Sequence, residues 1–149
     1  MDENFKNKTI IKLKRTFPCT TGILFEAFLD PEVFRQWFSP HGFTAKKVEI
    51  NPVIGGEYKC ELERTDGMKL VIKGRYEEII EYSKICFTFM YEPDVSSLGT
   101  SKVTVTFTET GNSTEIILFQ EINKVISTEG RAKGCEHMFS KLEEIIIDK

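Results

Sequence analysis

The sequence predicts an α+β domain in which one long terminal helix covers a single antiparallel sheet. Three observations lead there. Apolar and polar residues alternate at period two through most of the chain, the mark of half-buried strands. These stretches are short and separated by compact turn signals, which describes a meander. Near Ser127 the period changes to that of a helix and stays so to the end. A sheet with one apolar face must be covered, and that last helix is the available cover.

The first strand is TIIKLKRTF, Thr9–Phe17, closed by Pro18, which lacks a ladder N–H. The period then shifts. Ile23, Leu24, Ala27 and Phe28 form one stripe of a short helix. Asp30 and Pro31 break that helix and start another, Asp30 as cap and Pro31 at the first helical position. Phe34, Trp37 and Phe38 share a face of the second helix, and Pro40 and Gly42 end it. FTAKKVEI is the next strand, followed by GGEYKCELE, where Tyr58, Cys60 and Leu62 fall on one face. RTDGMK supplies a hairpin turn before KLVIKGRYEEII. EYSK joins that strand to KICFTFMYE, and TGNS joins SKVTVTFTE to TEIILFQEI. EPDVSSLGT is long for a hairpin loop, so Pro93–Thr100 is expected to be mobile, as are the first few residues. The final helix runs from Ser127 to Lys149. Cys135, Met138, Phe139, Leu142, Ile145 and Ile146 line one side of it, with Lys133, Glu136, Lys141, Glu143 and Glu144 mostly off that side.

Length and composition fit one soluble domain spanning 1–149. A chain of 149 residues buries enough surface to hold a core without staples. The net charge of −3 comes without a basic run or face, which argues against nucleic acid. No stretch approaches the roughly 20 apolar residues that span a bilayer. The opening MDENFKNKT lacks the apolar core of a signal peptide, so a reducing, cytoplasmic setting is expected. Cys19, Cys60, Cys86 and Cys135 are scattered, with no C-x-x-C and no zinc-like spacing. They read as small reduced hydrophobes, and no metal or other cofactor is expected.

Candidate chemistry is sparse. His41 sits in a Pro-Gly loop and His137 on the flank of the last helix; a lone histidine lacks the nucleophile and orienting partner that catalysis requires. Gly55–Gly56 lacks the lysine and helix of a phosphate loop and reads as a strand entry or bulge. Glu77 and Glu78 point to opposite faces of a strand and form no carboxylate dyad. No catalytic residue is assigned.

Taken in order, FEAFLDPEVFRQWFSPHGF, GGEY, the DG of Asp66–Gly67, GRYEEI, ICFTF and STEIILFQ resemble the START-like superfamily, also called SRPBCC or birch-pollen-allergen-like. Within it the chain is similar to the activator of Hsp ATPase homologue-like (Aha-type) family, from about Thr9 to Ile146. The resemblance implies a helix-grip fold: a curved antiparallel sheet of about six to seven strands wrapped on the long helix, with a hydrophobic cavity between them. Two departures stand out. Phe38 and Ser39 occupy positions where the family usually has tryptophan and glycine, and Cys135 follows Gly134 where a tryptophan is usual. The cysteine removes volume that would fill the cavity.

Candidate cavity residues are Trp37, Phe38, His41 and Phe43 from the second helix and its loop, and Tyr58 from the early strands. From the later strands come Phe87, Phe89 and Tyr91, which share one parity, and Val103, Val105 and Phe107. Cys135, Met138, Phe139 and Leu142 come from the last helix. The leading functional expectation is binding of a small hydrophobic ligand, a lipid, aromatic or polyketide-like molecule, by a monomer or homodimer. The second is a co-chaperone-like or stress-related interaction module with a chaperone or other protein as partner, although that role in the family uses a further N-terminal domain that this chain is expected to lack. The third is a cyclase or hydrolase using the same cavity.

Overall fold

The computed structural model describes residues 8–93, 99–124 and 129–147. The expected mobility of the first residues falls outside them, and that of Pro93–Thr100 largely so. The expected helix start at Ser127 and its end at Lys149 also lie outside. Among the described residues the elements run β1 (Thr9–Phe17), α1 (Thr21–Leu29), α2 (Pro31–Trp37), β2 (Phe43–Ile50), β3 (Glu57–Arg64), β4 (Lys69–Ile80), β5 (Lys84–Glu92), β6 (Ser101–Thr110), β7 (Ser113–Ile122) and α3 (Glu129–Ile147).

The seven strands form one antiparallel sheet in the order β1-β7-β6-β5-β4-β3-β2. Every neighbour but one is a hairpin neighbour in sequence. The exception brings β1 beside β7, with Thr9 opposite Ile122 and Phe17 opposite Thr114. Between β1 and β2 the chain leaves the sheet to make the two short helices, which places β1 and β2 at opposite edges.

Period-two burial holds along β6, where Ser101, Val103, Val105 and Phe107 are buried, and along β7, where Thr114, Ile116, Leu118, Gln120 and Ile122 are buried. The β4–β5 register shifts between Tyr76 and Glu78. Nearby, at Gly74, a Cβ would lie 1.8 Å from the Thr88 carbonyl oxygen. Only glycine admits so close a backbone approach. The hydroxyl of Tyr58 donates to the same carbonyl at 2.8 Å, and the Arg75 N–H donates to the Thr88 hydroxyl at 2.9 Å.

The short helices start as the sequence predicts. Asp30 caps α2, accepting from the Glu32 N–H at 2.9 Å with Pro31 behind it. Thr20 makes no side-chain cap to α1; instead the Thr21 N–H donates across the molecule to Glu109 of β6 at 2.9 Å. Helix α3 lies over the concave face and makes its closest backbone approaches to β1, α2 and α1. Phe139, Leu142 and Ile146 are its buried residues. Arg15 of β1 ties it to the sheet edge, reaching Glu143 at 2.8 Å.

Candidate functional site

The aromatic run at the end of α2 is core and wall together. Trp37 is buried, its indole N–H donating to the Ala27 carbonyl at 3.0 Å. Its ring meets Phe28 and Phe34 edge-on, and Phe34 stacks on Phe38 at 4.2 Å. These contacts fix the ring faces that look toward α3. The loop that follows is tethered: Lys141 of α3 donates to the Ser39 carbonyl at 3.0 Å and to its hydroxyl at 2.8 Å. A serine where glycine is usual in the resembled family thus gains a partner. Burial pulls the Lys141 ammonium below its ordinary pKa.

Between this wall, α3 and the central strands lies a cavity of about 570 Å³. Its sides are mostly apolar: Phe28, Trp37 and Phe38 from the short helices, Phe87 and Phe89 from β5, Val103 and Leu118 from β6 and β7, and Met138 and Phe139 from α3. The strand parity carrying Phe87, Phe89 and Tyr91 is therefore the concave one. Pro40 and His41 border the cavity from the loop. The His41 ring meets the His137 ring at 4.9 Å, which the sequence alone did not bring together. Cys135 also lines the space. Burial pushes its thiol pKa up, opposed by the charge of Arg131 and assisted by that of Glu136.

Of the residues expected in the wall, Phe43, Tyr58, Val105, Phe107 and Leu142 lie elsewhere. Phe43 opens β2, half-buried against the core and under the Arg64 guanidinium, 5.5 Å from ring centre to Cζ. Tyr58 is held by its hydrogen bond to Thr88 in a layer behind the cavity, against Phe34, Tyr76 and Phe87. Phe107 is covered by Phe25 and Phe28 of α1. Val105 and Leu142 are wholly buried in packed core.

The cavity also takes residues the sequence reading passed over: Phe28, Pro40, Leu118, Gln120, Gly130, Arg131 and Gly134. Two of these carried a signal. Gln120 is, with Thr114, a polar residue on the inward parity of β7, and Arg131 lies one helical turn before Cys135, on the same stripe. Gly134 keeps space free, since a Cβ there would meet nothing within 4 Å. No group of three or more His, Cys, Asp or Glu residues that could hold a metal occurs among the described residues.

Residues 19–146 match the family described as activator of Hsp90 ATPase homolog 1-like protein. No match is found among curated proteins. Among solved structures, a protein of Chromobacterium violaceum superposes with a TM-score of 0.83 at 27% identity, covering 91% of this chain and 95% of its own. A protein of Nitrosomonas europaea superposes with a TM-score of 0.81 at 17% identity, covering 99% and 97% of the two chains. A Staphylococcus aureus protein described as of unknown function gives 0.80 at 19%, covering 97% and 98%. The last two are likenesses of fold alone.

Proposed function

The chain belongs to the activator of Hsp90 ATPase homolog 1-like family, and on that premise we propose that it binds a small hydrophobic ligand in the space between α3 and the sheet. The observation that carries this reading is the cavity itself. About 570 Å³ bounded chiefly by aromatic and aliphatic side chains is a drug-sized volume. Apolar surface left facing water in such a cleft is unfavourable, and an apolar occupant would remove it from water. Glycine at position 134 adds to that cost, being about 1 kcal/mol less favourable than alanine inside a helix. Space maintained against both penalties is best accounted for by an occupant.

Nile red, a neutral dye, tests the reading without bringing in charge. Saturable binding to the native protein with a stoichiometry near one is the expected result, because one enclosed site is proposed rather than a diffuse apolar surface. Native mass spectrometry of freshly purified protein is expected to show a small molecule travelling with it. Absence of both signals would move the protein-interaction reading to first place.

A further inference from the structure

Apart from His41 in the loop after α2, the polar side chains lining the cavity are Tyr91 near the end of β5, Gln120 near the end of β7, and Arg131 in the first described turn of α3. The Gln120 amide is buried and donates to the Ser101 hydroxyl at 2.9 Å. The Arg131 guanidinium lies over the Tyr91 ring, with Cζ 5.9 Å from its centre. A planar cation seated on an aromatic face is restrained in position.

Nothing in the helix accounts for Arg131. A cation in the first turn opposes the helix dipole. Its neighbour Glu129 pairs with Lys133 at 3.6 Å, and no carboxylate pairs with Arg131 among the described residues. Its side-chain partner is the neutral Tyr91, so a half-buried guanidinium beside an apolar wall has given up hydration without a counter-charge. Burial holds the Tyr91 phenol above its ordinary pKa, opposed by Arg131, so it keeps an O–H to donate at neutral pH.

We propose that the ligand is an amphiphilic carboxylate, its apolar body along the aromatic wall and its carboxylate on Arg131, with the Tyr91 hydroxyl as a second donor. The assignment rests on the cavity reading above. One guanidinium matches one negative charge, and its fork of N–H groups matches the two oxygens of a carboxylate.

Displacement of Nile red by dodecanoate and by methyl dodecanoate, below micelle-forming concentrations, separates charge from apolar content. The full chain is compared with Arg131→Gln and Arg131→Lys, each normalised to its own dye affinity and checked by thermal melting. In the unmodified protein the acid is expected to bind about tenfold or more tighter than the ester, the scale of a hydrogen bond to a charged group. Arg131→Gln is expected to bring that ratio close to one, and Arg131→Lys to keep part of it. Equal binding of acid and ester by the unmodified protein, or an acid preference that survives Arg131→Gln, overturns the carboxylate assignment and leaves the cavity reading standing. If Nile red itself does not bind, the cavity reading fails and the assignment falls with it. Should Arg131→Gln not fold, the acid-to-ester ratio of the unmodified protein still decides.

Discussion

Cys135 is a small side chain on the cavity-facing side of α3, where the resembled family usually has a tryptophan. It lines the cavity beside Gly134, and the space before that glycine is empty. A large ring introduced here would enter void rather than packed core. Cys135→Trp is therefore expected to weaken Nile red binding about tenfold or more while leaving the melting temperature near its original value, since overpacking costs about 1–3 kcal/mol only where no room exists. A variant that melts much lower with dye affinity intact would show that Cys135 is tightly packed. The serine two positions after Trp37 has a comparable local logic: Ser39 is buried and receives both hydrogen bonds from Lys141, so a residue on one element fixes the path of a loop on another.

Among the elements, α3 and α1 are held by different means. Helix α3 is fastened by its apolar stripe, of which Leu142 is fully buried. Leu142→Asp removes that packing and leaves an unpaired charge in its place. The expected loss is about 4 kcal/mol or more, read from the urea midpoint. An unchanged midpoint would contradict the burial of the stripe. Helix α1 depends on a carboxylate from another strand. The Thr21 N–H donates to Glu109, and this bond holds the Glu109 pKa below its ordinary value. A carboxylate whose folded pKa is depressed stabilises the fold above its unfolded pKa, and that contribution is lost as pH falls through the folded value. Glu109→Gln is expected to be less stable than the original protein at pH 7 and to lose less of its stability between pH 5 and 3. Parallel acid dependences for the two proteins would count against the cap. Along α1 itself, Thr20 stands at the capping position without a side-chain bond, so the cap could not be read from local sequence.

At the scale of the whole molecule, the cysteines report on the integrity of the core. All four thiols are free; Cys19, Cys60 and Cys86 are buried and Cys135 is partly so. Burial, aided by the charge of Glu61, pushes the Cys60 thiol up to about 12. Ellman titration in denaturant without reductant is expected to find four thiols per chain, and the native protein is expected to react slowly at pH 8, because buried thiols are shielded from the reagent until the fold opens. Rapid native reaction of several thiols would mean that the sheet and α3 are not closed on each other. Period and turn chemistry alone determined the strand and helix order, the capping of α2 by Asp30 and the burial of the α3 stripe, because each depends on residues near in sequence. The composition of the cavity depends on something else. Phe87 and Phe89 could be read from parity with Tyr91, but which parity is concave, how far α3 stands off the sheet, and that Phe107 is covered by α1 whereas Val103 is not, follow from how the short helices fill one end of the concave face. The meetings of His41 with His137, of Ser39 with Lys141, and of Tyr91 with Arg131 join residues far apart in the chain. Such pairs are selected by the closing of the helix over the sheet, and only the tertiary structure decided them.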